Sequence, residues 1–212
     1  MLLNLHTHLP APRTDAVISC RLSELPDPSA FPGQLYSVGI HPWDVSALGL
    51  DETESKALQQ AAEREDVIAI GECGIDLLHL DSAPMFSQLL VMKKHIEISE
   101  KVGKPLILHC VKAYDSIIGL RKEYAPRQRW IIHGFRAKPT VARMLLQAGI
   151  DLSYGERFNP ESVALTPPDR LFAETDESTL TIAEIIRNLN SANPLISPES
   201  INTNLAHLFA AE

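Results

Sequence analysis

Cysteine is scarce in this chain and odd in number. Three thiols, Cys20, Cys73 and Cys110, stand in 212 residues, within or just after apolar runs. That excludes a disulfide framework and points to reduced, mostly buried thiols in a cytoplasmic protein. Positive charge is also in deficit: 19 Lys and Arg against 27 Asp and Glu leave a formal net charge of −8. The chain therefore lacks the broad basic face that binds nucleic acid tightly without regard to sequence. A metal site with local basic residues can still hold a phosphate. No apolar run reaches transmembrane length, and the short apolar start, Met1-Leu2-Leu3, passes directly into polar Asn4 and two histidines, unlike a signal peptide. No repeat, low-complexity segment or Gly/Ser-rich linker divides the sequence, so residues 1–212 are expected to form one domain. Nothing implies a membrane or a protein partner.

What the chain has is a 45% hydrophobic fraction with 22% charged residues, the balance of a globular protein able to bury a sizeable core. The apolar start leads into His6-Thr7-His8. As a β-strand this segment puts both histidines on one face, roughly 6–7 Å apart at Cα, close enough to grip one metal ion. Alone, such a pair reads more readily as polar residues on an exposed edge strand. Four later runs change that balance, because each ends in a side chain able to bind a metal. Val67 to Gly71 runs into Glu72, Pro105 to Leu108 into His109, Trp130 to Ile132 into His133, and Leu171 to Thr175 into Asp176. Their near-continuous hydrophobicity is that of parallel strands buried on both faces. In a parallel barrel the C-terminal strand ends open into one mouth, where residues distant in sequence gather.

Taken in order, further strands are expected at 15–20, 35–40 and 150–154, and helices at 56–65, 84–102, 114–124, 139–148, 179–189 and 198–210. The segment 22–33 carries Pro26, Pro28 and Pro32 and is not expected to hold an ordinary amphipathic helix. Eight strands with intervening helices indicate an α/β fold, a compact (β/α)8 TIM-type barrel with a reduced early β/α region. A doubly wound open sheet is the competing architecture, but its site lies at one switch point and not around a ring.

Other polar residues have two readings. His41 lines the mouth as a substrate-binding residue or fixes the turn at Pro42. Asp76 caps the loop after Glu72 or orients a ligand. Lys112 and Arg136, with Lys138 nearby, follow two of the ligand-bearing strands and are candidates to bind a substrate phosphate, although loop cations are often only solvated. His79, His95 and His207 read as structural or solvated.

The series His6-Thr7-His8, Gly39-Ile40-His41-Pro42, Gly71-Glu72-Cys73-Gly74-Ile75-Asp76, Pro105 to His109, His133-Gly134-Phe135 and Glu174-Thr175-Asp176 resembles the TatD family of metal-dependent hydrolases, in the family's order over nearly the whole chain. Members are barrels of the amidohydrolase superfamily, many of them divalent-metal-dependent deoxyribonucleases. The resemblance implies metal ligands at His6, His8, Glu72, His109, His133 and Asp176. Such a set can hold one or two divalent ions, with Glu72 suited to bridge them because a carboxylate has an oxygen for each. Asp176, with Glu72, is then the catalytic carboxylate, able to orient a metal-activated water and accept its proton. Zinc, manganese, iron and magnesium all suit the donors.

The chain departs from the family pattern in three places. Many members have an arginine two residues after the strand-five histidine, where this chain has Val111 followed by Lys112. The family often continues after the Phe135 position with a small residue and glycine, where this chain reads Arg136-Ala137-Lys138-Pro139. A proline usually lies near the last aspartate, where this chain has Glu177-Ser178. The ligands survive all three changes and the substrate loops do not. The expected activity is hydrolysis of phosphodiester bonds, with DNA as substrate. The alternatives are an amidohydrolase-type enzyme on a small amide, ester or phosphoester, and a metal-binding barrel without turnover.

Overall fold

A computed structural model describes residues 1–81 and 83–210. Eight parallel strands follow one another around the sheet in chain order: β1 (Asn4–Thr7), β2 (Ala16–Arg21), β3 (Leu35–Gly39), β4 (Val67–Asp76), β5 (Leu106–Val111), β6 (Trp130–Ile132), β7 (Ile150–Tyr154) and β8 (Leu171–Ala173). The last strand returns to the first. Thr7 pairs with Asp176 in a parallel bridge; the Asp176 N–H donates to the His6 carbonyl at 3.0 Å and the His8 N–H to the Asp176 carbonyl at 3.3 Å. The sheet thus comes round into a nearly closed (β/α)8 barrel, as expected.

From β3 onward the connections are helical: α1 (Glu52–Ala62), α2 (Met85–Val102), α3 (Tyr114–Tyr124), α4 (Pro139–Gln147), α5 (Pro160–Leu165), α6 (Ile182–Ala192) and α7 (Pro198–Phe209). Before β3 the expected economy is present. Among the described residues no helix joins β1 to β2, and β2 is followed by a single 3-10 turn, Leu22–Glu24, before the prolines. The core lies between the strands and the helices packed outside them. Leu58 and Ala62 of α1, Met92 and Ile96 of α2, Ile117 of α3, Leu145 of α4, and Ile185 and Leu189 of α6 are buried in one cluster with the strand residues.

Several boundaries differ from expectation for local reasons. Helix α1 begins before residue 56 because Asp51 and Glu54 form a capping box, Asp51 Oδ1 accepting the Glu54 N–H at 2.8 Å and Glu54 Oε2 accepting the Asp51 N–H at 3.0 Å. Thr181 and Glu184 do the same for α6, which therefore starts at Ile182 instead of 179. Helix α5 was not expected; Asn159 caps it by accepting the Ser162 N–H, and Pro160 occupies its first turn. Strand β4 does not end at Glu72 but continues to Asp76, paired with β5 through Cys73 to Asp76. No helix of the described residues is long and apolar enough to cross a membrane. Cys20, Cys73 and Cys110 are free and buried.

The β1–β8 seam is tied by side chains as well as backbone. Asn4 Nδ2 donates to Thr175 Oγ1 at 2.8 Å, and Asn4 Oδ1 accepts the Thr175 N–H at 3.1 Å and the His6 N–H at 3.3 Å. Thr175 Oγ1 donates to Thr7 Oγ1 at 2.9 Å, and Thr7 Oγ1 donates to the Asp176 carbonyl at 3.2 Å. Asn4→Ala strands these buried groups and should lower stability by about 1–3 kcal/mol, the cost of leaving buried hydrogen-bonding groups unpaired. A urea unfolding midpoint equal to wild type would show that closure does not depend on this side chain.

Candidate metal centre

Five strands deliver six side chains to one spot inside the mouth. His6 and His8 come from β1 and the residue after it, Glu72 from β4, His109 from β5, His133 from the residue after β6, and Asp176 from the turn after β8. All six expected ligand positions are therefore brought together, and His41, from the loop after β3, joins them.

Glu72 lies at the middle. Its Oε2 is 3.2 Å from His8 Nε2 and 3.5 Å from His6 Nε2, while its Oε1 is 2.7 Å from His109 Nδ1, 2.8 Å from His133 Nε2 and 3.1 Å from His41 Nε2. Asp176 Oδ1 closes the Oε2 side, 3.7 Å from both His6 Nε2 and His8 Nε2. The donor atoms of three sets, His6 with His133 and Asp176, His6 with His8 and Glu72, and His41 with Glu72 and His109, each fall within 4.8 Å of one another. His6 is fully buried and neither of its ring nitrogens has a hydrogen-bond partner. Buried polar nitrogens are rarely left so. Imidazoles and carboxylates turned inward with an orphaned nitrogen among them fit a divalent cation of the zinc, manganese or iron kind, and magnesium with water.

The charges agree with this arrangement. Burial pushes the Glu72 carboxyl up, but the surrounding His133, His109 and His41 rings outweigh it and hold the group well below its ordinary value. His133 has the reverse balance: burial favours its neutral form, and Glu72 and Glu174 overcome this and raise it well above the usual imidazole value. His8 is raised, chiefly by its hydrogen bond to Glu72. His41 is lowered, burial being the largest cause. For Asp176, burial acts upward and the neighbouring His6 and His133 more than offset it, so the carboxyl sits below its ordinary range.

A second ring of residues holds these groups, and sequence reasoning passed over most of it. Glu174 is fully buried, accepts the Gly134 N–H at 2.6 Å and a short hydrogen bond from Ser153, and lies 3.4 Å from His133 Nδ1. Its spacing from Asp176, two residues along a strand end, was the available signal. Asp76 ends β4, its Oδ1 accepting the Leu78 N–H at 2.8 Å and its Oδ2 lying 3.1 Å from His109 Nε2. Trp43 Nε1 donates to the same Oδ2 at 2.8 Å. His79 is not a remote loop residue; it stacks on Trp43 at 4.3 Å and lies 3.2 Å from Asp76 Oδ2. His95 is structural, buried in α2, accepting the Ile40 N–H at Nε2, with burial pushing it down to about 4.

Two cavities meet at the centre. One of about 650 Å³ opens over β5–β8 and is lined by Lys112 and Arg136, and by Arg157, which the sequence analysis did not single out although it follows β7 as the other two follow β5 and β6. The other, of about 420 Å³, opens over β1–β4 and is lined by Arg21, His41 and Trp43.

A parallel (β/α)8 barrel with a histidine and carboxylate centre at its C-terminal mouth defines the class. The family model described as TatD related DNase matches residues 20–191, and the chain belongs to that family. The uncharacterized metal-dependent hydrolase YabD of Bacillus subtilis is 31% identical over 153 residues, 68% of this chain and 59% of YabD. The 3'-5' ssDNA/RNA exonuclease TatD of Erwinia billingiae is 30% identical over 155 residues, 68% of this chain and 58% of that protein. The chain thus spans less than two thirds of the length of these relatives. The structure of YjjV, a TatD homolog from Escherichia coli K12, superposes with a TM-score of 0.79 at 19% identity, covering 100% of this chain and 98% of that one. That likeness concerns the fold, and it includes β1, which lies outside the residues the family model matches.

The carboxylates at the centre ionise more readily in the folded chain than in the unfolded one. The stability that Glu72, Asp76 and Asp176 supply is therefore present above the ordinary carboxylate range, about pH 4–4.5, and is lost as pH falls through their lower folded values. His133 contributes with the opposite sign, its share present below about pH 6.5 and lost as pH rises through its raised folded value. In EDTA, urea midpoints should decline on the acid side, and Glu72→Gln should flatten that acid limb. Identical acid limbs in the two proteins would contradict this account of Glu72.

Proposed function

We propose that this protein is a metal-dependent hydrolase that cleaves phosphodiester bonds of nucleic acid, working in the cytoplasm. The observation that carries the reading is the position of Glu72, one oxygen toward His6 and His8 and the other toward His109 and His133. Glu72 with His6, His8 and Asp176 on one side, and with His109 and His133 on the other, would hold one or two divalent ions. Ions held there supply Lewis acidity, lowering the pKa of bound water and neutralising charge on a phosphate. The cytoplasmic assignment is supported by the three free, buried thiols.

The residues of this chain do the rest. Lys112, Arg136 and Arg157 reach into the larger cavity and offer cationic contacts to phosphates beside the centre. Asp176 is partly exposed to that cavity and kept ionised by its histidine neighbours, so it can take the proton from attacking water. Glu174 places a buried carboxylate 3.4 Å behind His133 Nδ1. Relatives named as 3'-5' ssDNA/RNA exonucleases support a single-stranded nucleic acid as substrate. The net charge of −8 and the acidic Glu156 and Glu177 beside the three cations favour a small phosphoester as the second reading. Parallel assays on single-stranded DNA, RNA, a phosphomonoester and an amide decide between them; turnover of the amide alone would refute phosphodiester hydrolysis.

Purified protein should carry about one to two divalent ions per chain, and His6→Ala and His109→Ala should each lower that content. Full occupancy in both variants, measured by elemental analysis, would remove the assigned ligands. Asp176→Asn keeps size and one coordinating oxygen but loses the charge and most of the basicity. It should retain the fold and some metal and lose at least roughly 10²-fold in kcat, the scale of a positioned acid–base group. Turnover within a few-fold of wild type at equal metal content would make Asp176 structural and place the base elsewhere.

A further inference from the structure

His41 and His109 stand side by side at the centre, ring centroids 4.5 Å apart, and both face Glu72 Oε1. Each presents one ring nitrogen to the same carboxylate oxygen. Their outer contacts make them different, and both sets of contacts lead to Trp43.

His41 Nδ1 accepts the backbone N–H of Trp43 at 3.1 Å, capping the short turn Pro42–Asp44. A neutral imidazole that accepts at Nδ1 carries its proton on Nε2. His41 therefore turns an N–H toward the centre, 3.1 Å from Glu72 Oε1 and 3.3 Å from His109 Nδ1. A nitrogen that carries a proton donates and cannot ligate.

His109 is held the other way round. Its Nε2 lies 3.1 Å from Asp76 Oδ2, and that oxygen also accepts the Trp43 indole N–H at 2.8 Å. Asp76 is almost fully buried and fixed at its backbone by Gln88, its N–H donating to Gln88 Oε1 at 2.7 Å and its carbonyl accepting from Gln88 Nε2 at 3.1 Å. A carboxylate so placed only accepts, so His109 Nε2 is the donor. The nitrogen left for the centre is Nδ1, 2.7 Å from Glu72 Oε1.

We propose that Trp43 and Asp76 are positioning residues that set His41 and His109 in opposite roles, His109 offering its Nδ1 lone pair to a metal ion and His41 offering an N–H to substrate or to Glu72. The backbone amide of Trp43 fixes one ring and its indole, through Asp76, fixes the other. The ligand half, with the bare His109 Nδ1, rests on the metal reading above; the Nε2 protons of His41 and His109 do not.

The test uses the full chain labelled with 15N-histidine, first metal-free and then titrated with zinc alone. His41→Gln and His109→Gln variants assign the signals. Metal-free spectra at a pH where imidazoles are neutral should show His41 protonated on Nε2 and bare on Nδ1, and His109 protonated on Nε2. A proton on His41 Nδ1, or none on His109 Nε2, overturns the assignment whatever zinc does. On adding zinc, the coordination shift should fall on His109 Nδ1 while His41 keeps its Nε2 proton. A coordination shift at His41 overturns the proposal. Asp76→Asn should weaken zinc binding by about 10–100-fold, the usual effect of losing a carboxylate behind a ligating histidine. Trp43→Phe, which keeps the backbone amide, should weaken it less and leave the His41 signals in place. Zinc affinity within twofold of wild type in Asp76→Asn refutes the positioning role. Failure of the wild-type protein to bind zinc, manganese or iron counts instead against the metal reading, and the metal-free spectra then decide the proton assignment.

Discussion

The central constraint on this molecule is a carboxylate buried among imidazoles. Glu72 has 7% of its side chain exposed and five histidine rings within 3.5 Å of its two oxygens. Burying a charge of one sign is expensive unless it is surrounded by groups of the other sign or by hydrogen-bond donors. The barrel meets that demand by assembly, since the rings come from strand ends spread over most of the chain. No local segment could supply them, which is why the site exists only when the sheet comes round on itself.

Two glycines in β4 make the closest of these contacts possible. A Cβ at Gly71 would overlap the Ile107 backbone oxygen, and one at Gly74 would overlap the backbone of His109; both glycines have a φ near +145° that other residues rarely adopt. Glu72 lies between them. The backbones of β4 and β5 therefore approach tightly on either side of it, and this approach accompanies the 2.7 Å separation of Glu72 from His109. At the seam, Asp176 has a left-handed backbone (φ 51°) while both its N–H and its carbonyl bond to β1. Its backbone thus closes the sheet while its side chain faces the centre, so one residue serves fold and site together.

Much of this was legible in the sequence because parallel barrel strands are buried on both faces and read as continuous apolar runs, each ending where the mouth begins. Four of the inward side chains, Glu72, His109, His133 and Asp176, followed from that pattern, His6 and His8 from the alternation of a strand, and the six as one set from the family resemblance. What it could not show were interactions between elements with no periodic signature. Glu174 lies one step from a recognised position, but its importance depends on Ser153 and Gly134, brought beside it by β7 and the loop after β6. Trp43 and His79 sit in loops, where apolar periodicity says nothing, and matter only because the two loops stack. Arg157 follows a strand without a ligand at its end, so nothing directed attention to it. Helix starts shifted where capping boxes, and not hydrophobic spacing, decide the first turn.

The mouth is also uneven, and the unevenness follows from the chain's economies. The connections before β3 are short and proline-rich, and just after β3 the centre is approached by side chains that are themselves part of the hydrogen-bonding frame, His41 and Trp43 foremost. Around β5–β7 the loops contribute Lys112, Arg136 and Arg157, which line the wider cavity. Groups locked into a network can define geometry but move little, whereas long cationic side chains adapt to a ligand and act through charge. The first half of the mouth is thus framed by hydrogen-bonded side chains and the second by long cationic ones, while the centre itself draws on both halves. The departures from the family pattern after His109, His133 and Asp176 all fall in that second half, in the loops that line the wider cavity, and leave the six side chains at the centre in place.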